Sequence, residues 1–472
     1  MTSRRRNSLG RILGAVGGAA VLLTFTSPPR MAGPGAGAAL TAAASPASGG
    51  VSPVTQVSRC PGRPSAEVET AAGAPRYVYD LWIGCDGIGF ARSTDGGLYF
   101  GPSMTVPGSA GASWDPAIAV GPGGTIFVSY MHAAQQRMYP VVAASFDHGV
   151  TFPQVSPLRP AKQGNWGDRD FIAVSRAGVV YLTWDYGPSR ALVKLLCSPT
   201  GSCAYKAGDV NAVIQRSLDG GKTWGPITPV GPNFPRNGGY SAPVLVEPNG
   251  RVDLLSWGHQ VSNPPSYALH PGHEFFSSSA TGTVWPAHPT EVGASAGSIA
   301  LPTWWIDGDL GRDRGGNLYA TWDTQAPAGD TGWLSFSTDD GTSWSAPVRV
   351  TPDHDNAAHI VQVLGGQAGT AYVAWQTSAS PAGYATYLRP YSIGSGWLGP
   401  AIRVSSKFGN ARIWPGDTFG MAQLPGGLGA RLVLSWGSAI GQHGSSQIYA
   451  AVVSLPATAA GGVLGHHCRR TP

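Results

Sequence analysis

The sequence predicts an all-β protein, a seven-bladed β-propeller of four-stranded antiparallel blades, with six blades as the alternative. Three observations carry that expectation. A β-rich tetrapeptide ending in an aromatic recurs seven times, at Tyr79-Asp-Leu-Trp82, Phe127-Val-Ser-Tyr130, Tyr181-Leu-Thr-Trp184, Leu254-Leu-Ser-Trp257, Tyr319-Ala-Thr-Trp322, Tyr372-Val-Ala-Trp375 and Val433-Leu-Ser-Trp436. Its successive spacings of 48 to 73 residues suit propeller blades. A polar turn, Ser-x-Asp-x-Gly followed by an aromatic, recurs alongside it. Finally, 67 Gly and 40 Pro in 472 residues leave little room for long helices.

Taken in order, the chain begins with a leader, residues 1–44. Arg4-Arg5-Arg6 precede an apolar run from about Ile12 to Phe25, and Ala42-Ala43-Ala44 offers a small-residue cleavage site. This is the layout of a secretory signal, and the run is short and Gly-rich for a membrane span. A secreted protein with no stable membrane span after cleavage is therefore expected. The leader carries five arginines and no acid, so the net charge of +5 falls to zero without it. That balance argues against a nucleic-acid partner, which needs a basic face. Residues 45–64 form a lead-in segment. Its stretch Val51-Ser-Pro-Val-Thr-Gln-Val57 reads as a strand that closes the ring on the last blade, which otherwise has three evident strands and an open edge.

Residues 65–455 hold the blades. Each unit reads as four strands: one such as Pro116-Ala-Ile-Ala-Val120, a Gly-bearing turn, the aromatic strand, a third leading into the polar turn, and a fourth after it. The turn is clearest at Ser93, Asp95 and Gly97, at Ser145, Asp147 and Gly149, at Ser217, Asp219, Gly221 and Trp224, and at Ser337, Asp339, Gly341 and Trp344. Weaker copies end at Trp285 and Trp397. Ser and Asp side chains bond backbone groups inside such turns, and Gly supplies the positive φ. Residues 456–472 read as a flexible tail. Of the five cysteines, Cys197 and Cys203 bracket a short loop and are expected to staple it, and Cys60 and Cys85 could tie the lead-in segment to the first blade.

The four good turns resemble the Asp-box, the bacterial neuraminidase repeat of the sialidase superfamily. The resemblance covers nearly all of the chain after the leader. It implies that the turns are structural and that a ligand binds on the opposite face, near the axis. It also implies a test of sialidase chemistry: three arginines on the substrate carboxylate, a Tyr assisted by a Glu as nucleophile, and an Asp as acid/base. The family's Phe/Tyr-Arg-Ile-Pro motif is absent here. Phe90-Ala-Arg92-Ser93 precedes the first turn instead, on a strand feeding the hairpin, so that role is not carried over to Arg92.

On the face so implied, the segments before the first strands bring Trp114-Asp115, Asn165-Trp166-Gly-Asp168-Arg169-Asp170, Asn237-Gly-Gly-Tyr240, Trp304-Trp305-Ile-Asp307-Gly-Asp309, Asp353-His-Asp355 and Trp414-Pro-Gly-Asp417. Candidate catalytic residues are Asp115, Asp168, Asp170, Asp307 and Asp417, together with a Tyr240–Glu274 pair. Candidate substrate contacts are Trp114, Trp166, Arg169, Trp304, Trp305 and Trp414. Aromatics and carboxylates converging on one mouth suit a sugar, whose ring stacks while its hydroxyls bond the acids. Converging oxygens would also suit an axial calcium, although no cofactor is assigned. The competing reading is that each Asp caps the turn into its own strand. His259, His270, His273 and Glu274 lie on or beside a long loop but lack metalloprotease spacing, so no metal site is assigned there. The expected protein is a monomer acting on, or binding, an extracellular glycan or cell-surface polymer. It is either a glycoside hydrolase or a non-catalytic scaffold.

Overall fold

The computed structural model describes residues 50–456 apart from 61–62, 198–202, 208, 232–236, 241–242, 261–271, 296–307, 325–330, 352–358, 378–382, 411–412, 414, 427–428 and 441–444. Seven antiparallel sheets follow one another along the chain, with an extra two-stranded ribbon in the third unit. Among the described residues the only helical elements are two three-residue turns, Pro122–Gly124 and Arg190–Leu192. The protein is a seven-bladed β-propeller, and the count of tetrapeptides gives the count of blades.

Blade 1 shows the plan. Its inner strand Ala66–Gly73 is followed outward by Tyr77–Gly84, Gly87–Ser93 and Met104–Thr105. In blade 7 the strands Gly420–Gln423, Ala430–Ser438 and Gln447–Leu455 supply three places. The outer place is filled from the other end of the chain, by Gly50–Val51 and Thr55–Gln56 paired to Gln447–Leu455. That pairing covers an edge that would otherwise expose unpaired backbone groups. The Cys60–Cys85 disulfide then ties the same segment to blade 1, with 5.0 Å between Cα atoms.

The tetrapeptide aromatics Trp82, Tyr130, Trp184, Trp257, Trp322, Trp375 and Trp436 all end up buried on second strands. They recur because every blade must fill the same wedge against its neighbour. The polar turns recur for a different reason. In the first, Ser93 Oγ donates to Asp95 Oδ1 at 2.7 Å and accepts the Gly97 N–H at 2.9 Å, while Asp95 Oδ1 accepts the N–H groups of Leu98 and Tyr99. The turns at Asp147, Asp219 and Asp339 repeat the Ser–Asp and Ser–Gly bonds. There, hydrogen bonds from Thr151, Thr223 and Ser343 hold these exposed carboxyls below the usual range. Gly149 has φ +79°, and a Cβ there would lie 2.6 Å from Phe90 of the preceding blade. Gly341 packs likewise on Phe276. Each turn is thus both a hairpin end and a contact between blades.

One buried carboxyl couples blade 1 to blade 7. Asp80, fully buried, accepts hydrogen bonds from Thr70 Oγ1 at 2.7 Å and from Ser435 Oγ at 2.8 Å. Burial pushes its pKa up to about 7, partly offset by those two hydroxyls. A carboxyl raised in the native state holds its proton longer there than in the unfolded chain. Its stabilising contribution is therefore complete below the unfolded value near 3.9 and is lost as pH rises through about 7. Unfolding free energy should fall across that window with a slope approaching about 1.4 kcal/mol per pH unit from this group. Urea titrations at successive pH values should show a shallower slope in Asp80→Asn. An unchanged slope would remove Asp80 as its source.

Candidate functional site

The inner strands do not run straight to the axis. Four of them slip register near their first residues, between Ala66 and Val68, Trp114 and Ala117, Asp168 and Asp170, and His359 and Gln362. Each slip holds a non-glycine residue in the left-handed region: Glu67 (φ 50°), Asp115 (φ 47°), Arg169 (φ 36°) and Ile360 (φ 53°). Such a conformation costs roughly 1–2 kcal/mol per residue, and bulges of this kind re-aim side chains. The Asp-bearing turns lie at the other end of each blade. Gly73 pairs with Tyr77 and Val78 with Ser93, so Ser93 lies far from Glu67 along the sheet.

At the axial end, blades 1, 2, 3 and 7 bring Glu67, Asp115, Arg169 and Asp417 together. One carboxylate oxygen each from Glu67, Asp115 and Asp417 lies within 4.8 Å of the others. Arg169 Nη2 donates to Asp417 Oδ2 at 2.8 Å, and the Arg169 backbone N–H donates to Asp115 Oδ2 at 2.9 Å. The Arg169–Asp417 ion pair is about 95% buried and joins blade 3 to blade 7. Trp114 Nε1 donates to Asp168 Oδ1 at 2.7 Å. These bonds run between blades, unlike an Asp that only caps the turn into its own strand. Asp309 does both, accepting the N–H of Leu310 beside it and that of Val363 in the next blade.

The electrostatics are those of crowded acids in a dry place. Burial, then the charges of Asp417 and Asp115, pushes Glu67 well above the usual carboxylate range, with Arg169 opposing. Burial and Asp168 do the same to Asp115. Asp168 is pushed up to about 7, by burial and then by Asp185, against hydrogen bonds to Asp115 and Trp114 and the charge of Arg169. Burial raises Asp170, with the Ser129 hydroxyl opposing and Asp115 adding. Asp168 can therefore hold or pass a proton near neutral pH, and the guanidinium can hold an anion or a developing negative charge. Asp115 is the partly exposed residue of the cluster, although burial still dominates the surroundings of its carboxyl.

Of the candidates read from the sequence, Asp115, Asp168, Arg169, Asp170 and Asp417 are brought to one place. Trp114 and Trp166, expected to stack on a sugar, are 6% and 3% exposed and pack with Met131, Met138, Trp184 and Trp257 in a core between blades. Their ring faces therefore meet protein. Arg169 is likewise turned inward onto Asp417. Glu274 is buried on the third strand of blade 4, beside Gly308. The register places Trp257 between Tyr240 and Glu274, so their backbones stand two strand spacings, about 9.5 Å, apart. The side chains of Tyr240, Cys197 and Cys203 lie outside the described residues, as do Trp304, Trp305, Asp307 and Trp414. The backbone does set Cys197 directly opposite Cys203 across the extra ribbon.

Glu67 is the residue that sequence reading missed. A signal was present. Glu67 and Trp82, Asp115 and Tyr130, Arg169 and Trp184, and Ile360 and Trp375 are each fifteen residues apart. Counting back from each tetrapeptide would have found the bulge position in every one of these blades.

The fold and this cluster define a β-propeller with a buried carboxylate–arginine centre on its axis. No family model matches the chain, and no curated protein matches it in sequence. Among solved structures, an ulvan lyase of a new polysaccharide lyase family is similar with a TM-score of 0.54 at 11% identity, over 83% of this chain and 95% of its own. The NanB sialidase from Streptococcus pneumoniae gives 0.46 at 10%, over 82% and 84%. An α-L-arabinanase from Penicillium chrysogenum gives 0.44 at 13%, over 72% and 93%. At these identities the likeness is one of fold.

Proposed function

We propose that this is a secreted, glycan-directed propeller whose axial centre, built on Asp115, Glu67, Arg169 and Asp417, binds or cleaves an extracellular polysaccharide. The observation that carries the reading is the convergence of three carboxylates and one guanidinium from four blades, three of the four residues on strained backbone, at the end away from the Asp-bearing turns. A fold alone would not demand it, because structural acids can cap their own turns. The likeness to an ulvan lyase supports the glycan reading at the level of fold. The leader and the Cys60–Cys85 disulfide support secretion. No helix among the described residues is long and apolar enough to cross a membrane. Resemblance of the turns to the Asp-box supports kinship with sialidases.

If the centre is hydrolytic, Asp115 is the first choice for the group facing substrate, with Asp168 beside it as a proton store. The test is product release from a panel of aryl glycosides, an aryl α-sialoside included, and from uronate-containing polysaccharides. Turnover is expected to fall by roughly 100-fold or more in Asp115→Asn. Turnover that survives this change would move the chemistry elsewhere. A second reading, a binding scaffold without catalysis, is favoured by the depth at which Asp168, Asp170 and Asp417 are buried. It predicts glycan binding that Asp115→Asn weakens, with no product at any enzyme concentration.

A further inference from the structure

We propose that Glu67, Asp115 and Asp417 form the binding site of one calcium ion on the propeller axis. The inference does not depend on the glycan reading.

Geometry comes first. The three ligand oxygens lie within 4.8 Å of one another. Two oxygens on opposite sides of a calcium ion stand about 4.6–5.2 Å apart, twice the ordinary calcium–oxygen distance. A single ion can therefore touch all three. The ligands come from the starts of three blades, and in two of them the bulge places the acid where a regular strand would not.

The second observation is which oxygens are free. Asp417 Oδ2 is occupied by Arg169 Nη2, and Asp115 Oδ2 accepts the Arg169 N–H. No donor group reaches Asp417 Oδ1 or Glu67 Oε2, although their residues are 3% and 2% exposed, and the two carboxyls lie close enough to share a proton when no ion stands between them. A buried carboxylate oxygen without a partner is costly, and such atoms are rare unless something binds them. Arg169 acts here as an orienting group. It fixes one oxygen of two carboxylates and leaves the rest of the cluster for the ion, as outer partners do around metal ligands.

Charge supplies the third argument. Three carboxylates and one guanidinium sum to a formal charge of −2, in residues largely withdrawn from water. Either two protons or one divalent cation balances it. A hard ion with oxygen ligands suits the donor set, since among the described residues no thiol or imidazole belongs to the cluster. Calcium accepts six to eight oxygens in flexible geometry, so waters or sugar hydroxyls would complete the shell on the side where Asp115 meets solvent. Magnesium, which keeps its waters and needs a tight octahedron, suits three converging carboxylates less well.

The experiment uses the purified full chain, stripped with a chelator and dialysed at pH 7.5. Calcium chloride is titrated calorimetrically, and the melting temperature is followed in calcium, magnesium and chelator. One calcium per chain and a melting temperature raised by calcium more than by magnesium are expected. Glu67→Gln and Asp417→Asn should each weaken calcium binding roughly 10-fold or more. Glu67→Gln should also melt no lower than the parent in chelator, because the amide needs neither a proton nor a cation to balance it, and lower than the parent in calcium. That crossing separates an ion ligand from a merely structural acid. Asp147→Asn, on the opposite face, should bind like the parent. The proposal is overturned if millimolar calcium gives neither heat nor a melting shift, which would leave protons as the balancing charge. It is equally overturned if both variants bind calcium like the parent. Calcium binding without glycan turnover or binding would sustain this site and remove the glycan function. Turnover unaffected by chelator, with no calcium bound, would do the reverse.

Discussion

Arg169→Met should lower stability by roughly 3–5 kcal/mol at pH 7 in chelator. The guanidinium is about 95% buried and answers the Asp417 carboxylate directly. It also lowers the charging cost of Glu67, Asp115 and Asp168. Methionine fills much of the volume and removes all of that compensation. The loss should depend on pH in a defined sense. Without Arg169 the neighbouring carboxyls rise further, so the native state binds still more protons than the unfolded chain. Stability of the variant should therefore fall more steeply with pH than that of the parent, and the gap should narrow at pH 5. Denaturant unfolding at pH 5 and pH 8 reads this directly. A gap equal at both pH values would show that the damage comes from packing and not from charge.

Removal of the Cys60–Cys85 bridge by a double Cys→Ser change should cost about 3.5 kcal/mol. That figure is the chain-entropy value for the 25-residue separation that the bridge closes. The consequence should reach further than blade 1. The bridged segment continues from the strands that complete blade 7, and Ser58 and Ser65 also bond Ile448, Gln447 and Ser446 there. The variant should be cut by protease first within the lead-in segment, at a lower denaturant concentration than the parent. If both chains show the same denaturation midpoint and the same first cut, the bridge does not hold the ring closed. Serine at both positions avoids a lone reactive thiol that would confuse the comparison.

The blades were legible in the chain because their constraints are local and repeated. A residue such as Trp322 must fill the same wedge in every unit, and the Ser337–Asp339–Gly341 turn satisfies its own backbone within a few residues. Both leave a motif at a fixed place. The axial acids were legible in part. Asp115, Asp168, Asp170 and Asp417 stood out as repeated acids before the first strands. Glu67 did not, because its neighbours share no motif with them. Trp114 and Trp166 are buried, which the sequence does not show, since a Trp beside an acid can stack on a ligand or on its own core, and composition does not distinguish the two. Here Met131, Met138 and Trp184 supply apolar surface, and Asp168 takes the indole N–H of Trp114.

By itself, then, the sequence determined an all-β ring of seven repeating blades with polar turns at one end and acids gathered before the inner strands. Those properties follow from hydrophobic period, turn chemistry and spacing along a short stretch of chain. Only the tertiary structure decided that Glu67, Asp115, Arg169 and Asp417, up to 350 residues apart, share one dry site. It also decided which of their oxygens are occupied and which tryptophans are buried. The reason is physical. Closing the ring brings separate strand starts to a common axis, and bulges of one residue turn the side chains of Glu67, Asp115 and Arg169 inward. Burial and mutual charge, which set the chemistry of the cluster, exist only once those strands have met.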